Sequence, residues 1–361
     1  MERGTTGKQA VYAILHAGWF QEMIMGIFLF FAASTVLILI GLCHTPQGFA
    51  SPGIGLLLKL SALKGRESLK QDNAEARRAS NESDLALIDG RPDSTDGVVR
   101  EDLVLNLPGR SLAARLYRPG QAMPGHLMLS YHGGGFVVGS LETNERLARD
   151  LCRQTKTIVL SVAYRLAPEH TFPAAHDDAL DSYLWVREAQ ASGRLPPLPV
   201  WVSGDSAGAN LAAAVCLMAR SCGHALPAGQ LLFYPVADVS RMDTPSYGLF
   251  GDGYLLTRYD MEWFRDQYLT AADQRLDPRV SPLLEPELAG LPPALILTAG
   301  MDVLRDEGEA YAARLKAAGV SVELRRFSGL VHGFVQMRHF TSAAWRVPRL
   351  VRRFMQEHAS T

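Results

Sequence analysis

The sequence predicts an α/β fold built on a mostly parallel sheet, and three observations carry that prediction. From residue 126 onward, short apolar runs of strand length alternate with stretches of helical periodicity, the rhythm of strands joined by crossover helices. The runs are apolar almost throughout, as strands covered on both faces must be. One of them, "VWVSG", leads into a serine between two glycines and then at once into an apolar helix.

Taken in order, the first element is "MIMGIFLFFAASTVLILIGLC", Met23 to Cys43, which carries no charge. About 20 apolar residues span a bilayer as a helix. Residues 1–44 are therefore expected to act as a membrane anchor or export signal, with Gly48-Phe49-Ala50 as a small-x-small cleavage pattern. Arg3 and Lys8 before it and Lys59, Lys64 and Arg66 after it leave its orientation open. The alternative is an apolar cap helix in a cytoplasmic protein, or a stretch that is not translated in the cell. Residues 45–97 are turn-rich, and their charged patch "GRESLKQDNAEARRASNESD" is expected as an exposed helix. Val98 to Leu107 and Ser111 to Arg118 alternate apolar and polar about Pro108-Gly109, which predicts a β-hairpin. Strands are expected at 126–131, 157–164, 200–204, 230–235, 294–300 and 320–327. Helices are expected over Glu142 to Gln154, Pro173 to Ala191, Ala207 to Ser221, Arg305 to Ala318 and Ala343 to Glu357. Ala237 to Ser281 has aromatics and prolines but no strand rhythm, and reads as an insertion above the sheet that forms a lid with the N-terminal stretch.

Composition excludes several functions. The 361 residues are long enough to bury a large core, and a formal net charge of −1 offers no basic face for nucleic acid. Cys43, Cys152, Cys216 and Cys222 are scattered, without the spacing of a metal site, and read as buried or idle thiols. No metal or cofactor is called for.

The chemistry is concentrated in two glycine-rich stretches. "GDSAG", Gly204 to Gly208, is G-x-S-x-G in a strand–turn–helix setting, which makes Ser206 the candidate nucleophile and sets a helix N-cap as the bland alternative. A serine needs a base and the base an orienting acid, in the chain order serine, acid, histidine. His132, His170 and His176 lie upstream and are excluded. Of His224, His332, His339 and His358, only His332 stands in a short loop, "SGLVHGF", leaving a strand on the correct side. Asp302, two residues past the strand "ALILTAG", is favoured as the acid over Asp306, which reads as a first-turn carboxylate complementing the helix dipole. In "YHGGGF", three glycines let a loop approach the reacting carbonyl and offer N–H donors to the oxyanion, alongside the N–H of Ala207. His132 reads as a brace for that loop. Glu169, His170, His176 and Asp177 lack a compact ligand spacing and read as salt bridges and hydrogen bonds below the site.

"HGGGF", "YRLAPEHTFPAAHDD", "GDSAGAN", "DPRVSPLL", "DVLRDEGEAYAARLKAAGV" and "VHGF" together resemble the bacterial hormone-sensitive-lipase-like carboxylesterases, from about Val98 to the C-terminus. The resemblance implies an α/β-hydrolase fold, with an eight-stranded, mostly parallel sheet and a helical cap. The cap would combine residues 45–97 with an insertion at about 238–281 of a catalytic domain spanning 98–361. It implies Ser206, Asp302 and His332 as the triad, and Gly134, Gly135 and Ala207 as the oxyanion donors. Ala209 departs from the glycine usual there. The expected activity is hydrolysis of short- to medium-chain acyl esters. In the insertion, Tyr247, Phe250, Tyr254, Trp263 and Phe264 are candidates for the acyl wall, most of them equally for cap core. An amidase or peptidase with the same triad, and a non-catalytic ligand-binding protein, are the alternatives. The expected partner is a small-molecule ester, with membrane association through Met23 to Cys43 and a homodimer left open.

Overall fold

A computed structural model describes residue 35 and residues 38–64, 73–90, 95–120 and 124–358. Eight strands form one sheet: β1 (Val98–Leu107), β2 (Arg110–Pro119), β3 (Leu127–Tyr131), β4 (Ile158–Val162), β5 (Val200–Asp205), β6 (Gly229–Phe233), β7 (Ala294–Met301) and β8 (Val322–Val331). Their order across the sheet is β8-β7-β6-β5-β3-β4-β2-β1. Only β2 runs against the rest, pairing antiparallel with β1 and β4. Its hairpin with β1 turns at Pro108-Gly109, where Gly109 holds a φ of +71° that a side chain would resist.

The helices in chain order are α1 (Pro52–Lys64), α2 (Ala74–Ile88), α3 (Leu141–Thr155), α4 (Ala174–Ala191), α5 (Ala207–Ser221), α6 (Pro245–Phe250), α7 (Arg258–Tyr268), α8 (Arg305–Ala317) and α9 (Ala343–Glu357). Every residue of β3 to β7 is buried, which accounts for the lack of polar alternation in those runs. α5 is buried from Ala207 to Ala219, packed between its own strand, α4 and β6, so small and apolar residues occupy its whole circumference.

The sheet order explains where a site can form. Neighbouring strands lie about 4.8 Å apart, and β8, β7, β6, β5 and β3 are parallel neighbours whose C-terminal ends share one edge. Loops leaving that edge meet above it, as in other open α/β sheets.

Several sequence expectations need correction. Strand β8 continues through Val331 past a bulge after Phe327, so His332 follows the strand directly and "SGLV" is strand, not loop. The charged patch after residue 72 is helical from Ala74, with an Asn73 cap whose Oδ1 accepts the Glu75 N–H at 2.8 Å; it is not a freely exposed helix, because one face is turned inward over the sheet edge. Met23 to Cys43 lies outside the described residues except for Thr35 and residues 38–43, which are helical. Among the described residues no helix is long and apolar enough to cross a membrane.

Candidate active site

Strand β5 ends at Asp205, and Ser206 sits on the turn into α5 with φ +55° and ψ −120°. A non-glycine residue at this φ is strained, and strain of this kind is held where the surroundings over-determine it. Here the Ser206 N–H donates to the Phe233 carbonyl at 2.9 Å, and the Ser206 carbonyl accepts from Asn210 at 3.1 Å. The flanking glycines are sterically required. A Cβ on Gly204 would meet the Gly208 backbone at 2.2 Å, and one on Gly208 would meet the Tyr131 carbonyl at 2.0 Å. The turn thus closes only if strand, helix and the neighbouring strand touch backbone to backbone.

His332 follows β8 and Asp302 follows β7. His332 Nε2 lies 2.9 Å from Ser206 Oγ, and Nδ1 lies 2.8 Å from Asp302 Oδ2. The Asp302 side chain is fully buried, and its other oxygen accepts the Leu304 N–H at 3.0 Å. A buried carboxylate can only accept, so the imidazole carries its proton on Nδ1 and leaves Nε2 free to take one from the serine. The Tyr234 ring, delivered by β6, packs on the imidazole at 4.6 Å between centroids and fixes its plane. Asp306, the alternative acid, is engaged elsewhere: it accepts the Ser246 N–H at 2.7 Å and pairs with Arg305 at 2.8 Å, tying α6 to α8.

The loop after β3 brings Gly133, Gly134 and Gly135 to the same cavity as Ser206 and His332. Gly134 and Gly135 hold φ of +120° and +59°, and a Cβ on Gly134 would strike the Val138 carbonyl at 2.1 Å. Among the described residues the N–H groups of Gly134, Gly135 and Ala207 donate to no protein acceptor, whereas the Gly134 carbonyl accepts from both Val137 and Val138. His132 braces the loop. Its Nδ1 reaches the Gly133 carbonyl at 2.8 Å, its ring stacks on Tyr164 at 4.3 Å, and burial pushes its pKa down to about 4, so it stays neutral.

Asp205 is a residue of the candidate site that sequence reasoning missed. Its Oδ1 accepts the Gly133 N–H at 2.9 Å, and burial holds its carboxyl up at about 6. The sequence shows an aspartate beside the nucleophile in G-x-S-x-G, but neither its burial nor its bond to the glycine loop.

The cavity measures about 290 Å³. Val236, Leu255, Leu256, Met261 and Phe264 form an apolar side, and α2 contributes Arg77, Ser80, Asn81, Asp84 and Leu85. Of the five aromatics proposed for the acyl wall, Phe264 alone is among the described residues lining it. Tyr247, Phe250, Tyr254 and Trp263 are buried within the packing of α6, α7 and the segment between them. Glu169 and His176, two of the four ionisable residues weighed as a metal set, serve as struts. Glu169 pairs with Arg78 of α2 at 2.6 Å. His176 is buried against the Tyr268 hydroxyl at 2.8 Å, Asn210 Oδ1 at 3.0 Å and the Arg279 carbonyl at 3.0 Å.

A family model described as an alpha/beta hydrolase fold matches residues 128–336. The chain is 44% identical over 293 residues to the carboxylic ester hydrolase LipN of Mycobacterium tuberculosis, covering 79% of this chain and 77% of that one. It is 42% identical over 290 residues to the ethyl acetate hydrolase of Pseudomonas putida, covering 79% and 90%. Among solved structures, an ester hydrolase from the metagenome of Lake Arreo, complexed with a derivative of bipyridine phosphonate, superposes with a TM-score of 0.80 at 34% identity, covering 87% of this chain and all of that one.

Proposed function

The chain belongs to the hormone-sensitive-lipase-like carboxylesterases of the α/β-hydrolase superfamily and is a carboxylic ester hydrolase, and on that premise we propose that it works through a Ser206–His332–Asp302 triad on short- to medium-chain acyl esters. Ser206 Oγ attacks the ester carbonyl while His332 Nε2 takes the hydroxyl proton. Asp302 keeps the imidazole oriented and stabilises it once charged. The tetrahedral oxyanion accepts from the N–H groups of Gly134, Gly135 and Ala207, each such donor being worth about 3 kcal/mol of barrier. Collapse expels the alcohol, which receives the proton from His332, and water then resolves the acyl-enzyme by the same route in reverse.

The observation that carries this reading is the continuous hydrogen-bonded chain of 2.9 Å and 2.8 Å from hydroxyl to imidazole to buried carboxylate. The acyl range is supported by the apolar side of the cavity. A second space of only about 20 Å³ shares Gly135, Val236, Met261 and Phe264 with that side and is also lined by Val239, Leu269 and Val280. A p-nitrophenyl ester series on wild type and Ser206→Ala tests the proposal. Turnover is expected to be highest for short and medium chains and to fall by roughly four orders of magnitude or more in the variant, since triad members act as a unit. Retained turnover in Ser206→Ala removes the nucleophile assignment. Matched p-nitroanilides, turned over as fast as the esters, would place the enzyme with the amidases.

A further inference from the structure

Helix α2 (Ala74–Ile88) is an unusual wall for a site that takes only hydrocarbon. Residues 77, 80, 81, 84 and 85 fall along one side of a helix, and that side lines the catalytic cavity. Four of the five are polar: Arg77, Ser80, Asn81 and Asp84. Meanwhile Leu87, outside the cavity lining, stands 73% exposed. A helix that closes an apolar site is expected to bury its leucines and show its asparagines to water. A local rule broken in this direction marks a place where function sets the residue.

Two of these side chains have hydrogen-bonding capacity to offer. Arg77 is committed to the cap, donating to Asp260 Oδ1 at 3.0 Å and lying 4.0 Å over the Trp263 ring. The Asn81 amide, in contrast, bonds to no group among the described residues. The Ser80 hydroxyl reaches Asp84 Oδ2 only at 3.5 Å, too long for a strong bond.

The position of α2 decides which half of an ester meets this face. Glu82 accepts from Ser140 Oγ at 3.3 Å, and Ser140 caps α3, whose Thr143 lines the cavity with His332, Gln336 and Met337. This is the histidine side, where the leaving alcohol takes its proton. The apolar side, carried by Val236 and by Met261 and Phe264 of α7, borders Gly135 and meets α2 at its first turn, through Arg77. Resting on the triad reading above, the geometry points to short-acyl esters of a hydroxylated alcohol as the substrate class, with Asn81 and Ser80 hydrogen-bonding hydroxyls on the leaving group.

The test compares kcat and KM for propyl butyrate and glyceryl monobutyrate, which share acyl group and carbon skeleton and differ by two hydroxyls. Wild type is expected to prefer the glyceryl ester by roughly fivefold or more in KM, the worth of a hydrogen bond to an uncharged partner. Asn81→Leu is expected to abolish that preference by raising KM for the glyceryl ester about fivefold more than for propyl butyrate, and Ser80→Ala to reduce it. Leu87→Asn, a surface change on the same helix, is expected to leave the preference intact. A selectivity that survives Asn81→Leu, or a wild type that turns over both esters without preference, overturns this inference alone. Equal loss on both esters in Asn81→Leu, with selectivity intact in Ser80→Ala, also overturns it by making Asn81 structural. A wild type that hydrolyses neither ester overturns the inference together with the esterase mechanism beneath it.

Discussion

Gly135 stands where the oxyanion loop meets the cap. Its φ is +59°, and a Cβ added there would come within 2.3 Å of Phe264 Cγ on α7. Gly135→Ala must therefore push the loop or the ring aside. The expected result is a kcat lower by about 100-fold, in line with loss of one oxyanion donor, with KM changed less and the far-ultraviolet circular dichroism unchanged. Stopped-flow or steady-state ester kinetics on the purified variant check it. At this scale the sequence was readable wherever chemistry demands one residue type at one spacing, so Ser206, Asp302, His332 and the glycines, which the fold brings together, could be named as candidates in advance. Asp205 and Asn81 could not. Nothing in a sequence pattern distinguishes an aspartate that holds a neighbouring loop from one that faces water, and only the fold shows what stands opposite.

The elements of the sheet were legible because burial on both faces leaves an apolar run, and crossover helices impose a regular alternation. The cap was not. Helices α6 and α7 are only 6 and 11 residues long, too short for a long periodic face to appear in the sequence. What holds the cap together is instead a polar and aromatic clasp. Arg77 of α2 pairs with Asp260 of α7, and the same guanidinium stacks on Trp263, with both ends of the ion pair about nine-tenths buried. A desolvated cation–π contact of this kind is worth about 2 kcal/mol. Arg77→Ala is accordingly expected to raise local opening of α2 some thirtyfold, since a factor of ten corresponds to about 1.4 kcal/mol. Hydrogen exchange should show lost protection across Ala74–Ile88 while β3 to β7 keep theirs. Uniform loss across the sheet would instead mean that α2 and the core open as one unit.

The stability of the whole molecule carries a signature of its buried histidines. His132 and His176 are both pushed by burial from 6.5 to about 4. The unfolded chain takes up protons at these positions as pH falls from 6.5, and the folded chain refuses them until about 4. Their contribution is thus complete above pH 6.5 and drains away as pH falls through that window. Asp205 works in the opposite sense: held up at about 6, it keeps a proton that the unfolded chain has already released, and subtracts stability as pH rises from 3.8 toward 6. A difference measurement isolates one histidine from this background. The Tm advantage of wild type over His176→Gln is expected to narrow by several degrees from about pH 7 to about pH 4.5 in scanning calorimetry. An unchanged gap would mean that the folded imidazole takes up its proton as readily as the unfolded one. Strand order across the sheet belongs to this scale too. It is set by which pairings bury the most surface over distances of a hundred residues, and short-range periodicity does not encode that.

The single side chain that joins Gly133 to the end of β5 has a mechanical consequence. Attacking atom and anion cradle are riveted to one another across Asp205, not separately hung from the scaffold. Breathing of the sheet carries both in step, so thermal motion shifts the reactive geometry as a body and spares the gap across which the bond must form.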